Sequence, residues 1–300
     1  MALHATKVRQ RTARSHGSST LLALAVTTLG IASGAQAELI YGVTQTGFLA
    51  NWNSTTPGTI NAGVAIQGLQ TNEKIVGLDF RPATGELYGI GSFSRLYKIN
   101  KMTGMATQVG APLSPTLTGT SFGFDFNPVV DRIRLVSDAD QNLRLHPDTG
   151  AVVGNDGMLQ YVMGDQNFGF NPNITHSAYT NNFAGTTSTT LYGIDSSLDA
   201  LVIQNPPNAG GLMTVGSIGT DITDIGGFDI SGLTGIAYAT ILDAQLGKST
   251  FWKINLQTGA GTMVGEIGGG AVITAMSVVP APSALAAMGL LLGRRSRRRN

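Results

Sequence analysis

The stretch FGFDFNPVVDRIRLVSDADQNLRLHPDTG, residues 122–150, holds a short apolar run, a polar turn, an alternating hairpin and a closing Thr149-Gly150 turn. Runs of this length bounded by Pro, Asp, Asn and Gly are written in the pattern of successive β-strands. The same grammar recurs along the chain. Leu78-Asp79-Phe80-Arg81-Pro82, Phe124-Asp125-Phe126-Asn127-Pro128, Phe168-Gly169-Phe170-Asn171-Pro172 and Phe228-Asp229-Ile230 align on their central residues at spacings of 46, 44 and 60. Each is followed by a second run, such as Leu87-Tyr88-Gly89-Ile90 or Leu191-Tyr192-Gly193-Ile194. Third runs follow at Leu96–Asn100, Leu143–His146 and Phe251–Asn255, and turns at Thr103-Gly104, Thr149-Gly150 and Thr258-Gly259 lead to a fourth. Glycine suits those turns because it takes positive φ without steric cost.

Four strands in about 45 residues is the period of a β-propeller blade. Residues 39–68 start at a second strand, Ile40-Tyr41-Gly42-Val43, and lack a first. Met276-Ser277-Val278-Val279-Pro280, at the far end, has the missing first-strand pattern. Pairing the two predicts an all-β, five-bladed propeller closed by strands from both ends of the chain, which also removes exposed sheet edges. A β-sandwich and a six-bladed ring are the alternatives.

Composition agrees with many short strands. Charged residues make up 12% and Gly numbers 40 of 300, against averages of about 25% and about 7%. With 42% hydrophobic residues the chain has enough apolar surface to fold. It contains no Cys, which excludes disulfides and thiolate chemistry. The formal charge of +1 conceals a segregation: residues 1–37 carry +4, residues 294–300 carry +5, and residues 38–293 carry −8. An acidic body without a basic, aromatic-interleaved stripe argues against nucleic-acid binding.

Both ends read as targeting segments. Residues 1–37 combine early bases, the 11-residue apolar run Leu21–Ile31 and Ala35-Gln36-Ala37, the pattern of a secretory signal cleaved after Ala37. The run is well short of the roughly 20 residues that span a bilayer. At the other end Pro280-Ala281-Pro282 leads into Ala284–Gly293 and then a cluster opening with Arg294 and Arg295. Residues 280–300 resemble the PEP-CTERM sorting signal of exported bacterial proteins, with Ala281 where the namesake motif has Glu. That resemblance implies membrane retention through the C-terminal segment and processing by an exosortase-type transpeptidase. The arginines alone favour an anionic membrane face. The expected organisation is a signal peptide over 1–37, a propeller over 38–279 and a sorting segment over 280–300.

The body resembles a family of exported bacterial proteins known only as a domain of unknown function. The resemblance is carried by residues 122–150, GLDFRPATGELYGI (77–90) and TTLYGID (189–195), and covers most of 39–268. It implies a propeller-like fold and no activity.

Several residues are candidates for chemistry. Aligned inner strands place Asp79, Asp125, Gly169, Asp229 and Ser277 at equivalent positions. Three carboxylates at one level of a ring suit a divalent cation, or a paired acid and base on a sugar. The competing and favoured reading is that each Asp accepts hydrogen bonds between blades. Hairpin arithmetic across Ser137–Gln141 sets Arg134 opposite Arg144 and Arg132 opposite His146. Like charges across a ladder need something negative between them. That is either an anionic ligand, making Arg132, Arg134 and Arg144 binding candidates, or protein carboxylates, with Asp125 and Asp131 nearest in sequence. The carboxylates are favoured. Asp138, Asp140 and Asn142 alternate like calcium ligands, but Leu143 stands where that loop needs Gly, so a polar hairpin tip is the better reading. Gly119-Thr120-Ser121-Phe122-Gly123 matches a nucleophile elbow yet runs into a strand rather than a helix. Only His146 and His176 follow the leader, which leaves no histidine-rich metal site. No cofactor is expected.

The function expected is therefore an exported, non-catalytic envelope or matrix propeller that binds a polysaccharide or an envelope protein. The rival is a glycoside hydrolase or lyase using Asp79, Asp125 and Asp229, which requires two of them accessible in one funnel, about 5–10 Å apart.

Overall fold

The computed structural model describes residues 37–280. The expected leader and tail, with Pro282, Arg294 and Arg295, lie outside the described residues, apart from Ala37 and Pro280 at their borders. Among the described residues no helix is long and apolar enough to cross a membrane.

The chain folds as a five-bladed β-propeller. The first blade contains β1 (Leu39–Thr44), β2 (Phe48–Asn53) and β3 (Thr56–Ala65). The second runs β4 (Ile75–Phe80), β5 (Leu87–Gly91), β6 (Arg95–Ile99) and β7 (Ala106–Val109). The third runs β8 (Phe122–Asn127), β9 (Arg132–Ser137), β10 (Asn142–Leu145) and β11 (Val152–Asn155). A short strand, β12 (Gln160–Tyr161), precedes the fourth blade, formed by β13 (Ile174–Tyr179), β14 (Leu191–Asp195), β15 (Ala200–Gln204) and β16 (Gly211–Ser217). The fifth has β17 (Gly226–Ile230), β18 (Ala237–Asp243), β19 (Lys248–Ile254) and β20 (Gly261–Glu266). The last strand, β21 (Ile273–Val278), returns to the first blade and pairs antiparallel with β1, Tyr41 opposite Ser277. Innermost strands neighbour one another in the cyclic order β4, β8, β13, β17, β21 and back to β4.

Two features depart from the sequence reading. Phe168-Gly169-Phe170 is not an inner strand: both phenylalanines are exposed, and Gly169 sits in a turn at φ +90. The inner strand is β13, all six of whose residues are buried. Burial between two blades, not the Phe-x-Phe echo, selects it. The fourth blade is also five-stranded, because β12 adds in parallel to the outer edge of β16.

The turns follow the expected grammar. Gly104, Gly150 and Gly259 have φ of +74, +68 and +82, and their N–H groups donate to the carbonyls of Asn100, His146 and Asn255 at 2.8, 2.9 and 2.8 Å. Apolar cores lie in the seams between blades. Tyr88 of the second blade meets Phe126 of the third edge-on at 5.2 Å, and Trp52 of the first meets Phe251 of the fifth at 5.9 Å. The cluster between the third and fourth blades is the smallest, with six buried residues against twelve between the second and third. Polar groups take up the difference there.

Inner strands approach closely because they carry small residues facing the next blade. A Cβ on Gly77 would lie 2.6 Å from Cβ of Phe124, on Gly123 2.6 Å from the backbone nitrogen of Ser177, and on Gly227 2.5 Å from that of Met276. Gly123→Ala drives a methyl group against the Ser177 backbone nitrogen and, at 2.7 Å each, the Ser177 Oγ and Val136 Cγ2 atoms. We expect it to cost about 2 kcal/mol in urea unfolding, within the range of overpacking.

Candidate functional site

Three inner strands read Gly-x-Asp: Gly77-Leu78-Asp79, Gly123-Phe124-Asp125 and Gly227-Phe228-Asp229. Period two in a strand points the Gly and the Asp the same way, toward the following blade. Each Asp bridges a seam. Oδ2 of Asp79 accepts from the Phe126 N–H at 2.8 Å, Oδ1 of Asp125 from Tyr179 N–H at 3.0 Å, and Oδ2 of Asp229 from Val278 N–H at 2.6 Å. Ser277 does the same with a hydroxyl, accepting from Phe80 N–H at 3.2 Å and donating to Asp79 at 2.7 Å. The fifth position belongs to Ala178, not Gly169, and there Ile230 N–H turns back to its own Asp229 at 2.6 Å.

The three carboxylates offer oxygens within 4.8 Å of one another, and all three are buried. Burial pushes Asp229 up to about 7. Burial first, and then the neighbouring charges, hold Asp79 and Asp125 well above the usual carboxylate range. The cluster is a set of buried hydrogen-bond acceptors on the ring axis whose burial favours the protonated form. Its geometry admits a cation, but only Oδ2 of Asp125 is not already hydrogen-bonded. It does not form the accessible pair that sugar hydrolysis requires.

The arginine ladder forms in the expected register, Arg134 opposite Arg144, and ends one step before Arg132 would meet His146. The negative partner is Asp156, neither Asp125 nor Asp131. Its Oδ2 accepts from Nη1 of Arg134 and Nε of Arg144, each at 2.7 Å, while Oδ1 accepts from Nη2 of Arg144 at 2.9 Å. Burial works to raise Asp156, and the bonds from Arg144 and Arg134 overcome it and hold the carboxyl low. Arg134 also donates to Asn142 at 2.6 Å and across the seam to Asn208 at 2.7 Å. Asp125 lies beside Arg134 in the β8–β9 register but is spent on Tyr179, and Asp131 forms a bidentate pair with Arg81 at 2.9 and 2.5 Å. Arg144 lies flat over Gly154, where a Cβ would meet Nη2 at 2.5 Å. A cavity of about 350 Å³ opens between the first and second blades, and one of about 320 Å³ borders this network. The one acid lining the first, Glu73, is committed to Tyr97, Phe93 and Gln70 at 2.6, 3.1 and 3.4 Å.

The remaining candidates do not converge. Asp138 accepts from Thr120 N–H and hydroxyl at 2.9 and 2.7 Å, whereas Asn142 serves Arg134, Gly157 and Pro207. Oδ1 of Asp140 is buried without a partner. Ser121 immediately precedes strand β8. His146 accepts the Asp148 N–H at 3.2 Å as Asn100 accepts that of Met102, so it is a turn residue. His176 is buried, which pushes it down to about 4.

A family model matches residues 48–277. The chain belongs to the family described as a domain of unknown function, DUF4394. No curated protein matches this DUF4394 chain. Among solved structures it is similar to a chain of a nidogen/laminin complex, at 12% identity and TM-score 0.47, covering 81% of this chain and 98% of that one. It is similar to a structural genomics protein of unknown function from Bacteroides thetaiotaomicron VPI-5482, at 12% identity and TM-score 0.47, covering 83% and 68%. PorZ, a bacterial surface component of the type-IX secretion system of Porphyromonas gingivalis, matches at 12% identity and TM-score 0.39, covering 75% and 26%. At these identities none speaks to the function of the DUF4394 chain.

Proposed function

We propose that this DUF4394 chain is an exported, non-catalytic propeller of the cell envelope or extracellular matrix, binding a polysaccharide or an envelope protein. The observation that carries the reading is the fate of the axial carboxylates. Asp79, Asp125 and Asp229 are sealed and committed to inter-blade N–H groups, while cavities of ligand size open at the blade seams instead. Export is supported by the basic leader and Ala35-Gln36-Ala37, and retention by the Pro280–Arg295 pattern with an exosortase-type transpeptidase as processing partner. The hydrolase or lyase reading has no accessible acid–base pair among these aspartates to rest on. Incubating the purified chain with a glycan array is expected to give retained protein without released sugar. Released sugar, or an array without signal, counts against the proposal.

A further inference from the structure

Of the five arginines among the described residues, Arg81, Arg95, Arg134 and Arg144 each have a carboxylate within 4.0 Å. Arg132 has none. Its Nη1 is satisfied only by the backbone carbonyls of Asp131 and Val130, at 2.8 and 3.4 Å. Arg132 faces the same cavity as Arg134 and Arg144, about 320 Å³ in volume, which is further lined by Asn127, Tyr179 and Asn208. One carboxylate, Asp156, serves two of these three guanidinium groups. Two positive charges are thus left over at one cavity of a body whose total is −8. Like charges gathered in a partly enclosed seam repel unless an anion joins them.

The donors available to such an anion are specific. Nη1 of Arg144 has no partner, because Nε and Nη2 take Asp156. Nε and Nη2 of Arg132 are likewise unused, and they form the edge that meets a carboxylate through two parallel bonds. The side-chain amides of Asn127 and Asn208 accept hydrogen bonds through Oδ1, leaving both NH₂ groups as donors. The volume lies at the lower end of the roughly 300–1,000 Å³ usual for small-ligand sites. From this we infer that the seam between the third and fourth blades is a binding site for an organic carboxylate about the size of one sugar ring, held by Arg132 and Arg144.

The inference rests on the binding-module reading and deepens it. An acidic sugar and a small free carboxylic acid share the chemistry, so both enter the test. Titrating the full chain calorimetrically with galacturonate, malonate, sulfate and galactose separates them. Galacturonate is expected to bind at least tenfold more tightly than galactose or sulfate. Tighter binding by malonate than by galacturonate keeps the carboxylate site and assigns it to a free acid. Arg132→Glu, at a side chain whose hydrogen bonds go only to neighbouring backbone carbonyls, is expected to weaken carboxylate binding tenfold or more while leaving the melting temperature unchanged. Binding untouched by Arg132→Glu, or sulfate or galactose binding as tightly as the carboxylates, overturns the site. If the carboxylates fail while neutral glycans are retained on the array, the site falls and the binding-module reading stands. If nothing is retained, both fall.

Discussion

Asp79→Ala is expected to lower the unfolding free energy by about 4 kcal/mol at pH 6, measured by urea titration. The carboxylate accepts Phe80 N–H at 2.7 Å, Phe126 N–H at 2.8 Å and the Ser277 hydroxyl at 2.7 Å. Alanine leaves the buried Phe126 N–H without its acceptor, at about 1–3 kcal/mol, leaves Phe80 N–H only the longer bond to Ser277, and opens a small void beside them. One of the donors belongs to the next blade, so the loss falls on the seam that holds the ring together. The fold supplies its own control. Ser277 occupies the equivalent place and still reaches the next blade with a hydroxyl. Asp79→Ser is therefore expected to recover about half of the loss. An Asp79→Ala variant as stable as the parent would mean that the axial bonds contribute nothing to closure.

That role was partly visible in the sequence. The Phe-Asp-Phe repeat, the turn glycines and the strand missing from the first blade are local patterns, and local patterns set strand direction and turn type. The inner strand of the fourth blade departs from the pattern because Phe168-Gly169-Phe170-Asn171-Pro172 copies the repeat without its burial. The real strand, Ile174-Thr175-His176-Ser177-Ala178-Tyr179, has His and Ala where three other blades have Gly and Asp. Only contact with both neighbouring blades marks it as the inner strand. Pairing arithmetic likewise found Arg134 opposite Arg144, because adjacent strands of a hairpin fix that register. It could not find Asp156, which enters from the end of β11, or Asn208, which reaches across a seam. The sole signal for Asp156 was positional: it lies two residues beyond Gly154, which the ladder sets opposite Arg144.

The same axial cluster should govern stability against pH. Asp229, pushed up to about 7 from 3.8, binds its proton more tightly folded than unfolded. Its contribution is fully present below pH 3.8 and is lost as pH rises through about 7. Asp79 and Asp125 shift in the same direction and add to that loss. The charged groups acting on them are one another and Glu38, all acidic, so none offsets the effect. His176 runs oppositely: depressed to about 4 from 6.5, it contributes fully above pH 6.5 and loses that contribution as pH falls through 4. Between pH 4 and 6.5 the histidine offsets Asp229 alone, and Asp79 and Asp125 still lower stability as pH rises. Above 6.5 the histidine is constant and the carboxylates act alone. The melting temperature is thus expected to fall as pH rises from 4.5 to 7, because three carboxyl groups outweigh one histidine. Asp125→Asn is the discriminating variant. Asp125 uses only Oδ1, on Tyr179, so asparagine keeps that bond and removes a titrating group from the cluster. It should shallow that fall and leave the variant more stable than the parent at pH 8. A parent curve that stays level or rises from pH 4.5 to 7 would show that the three carboxyl groups do not bind their protons more tightly in the folded state.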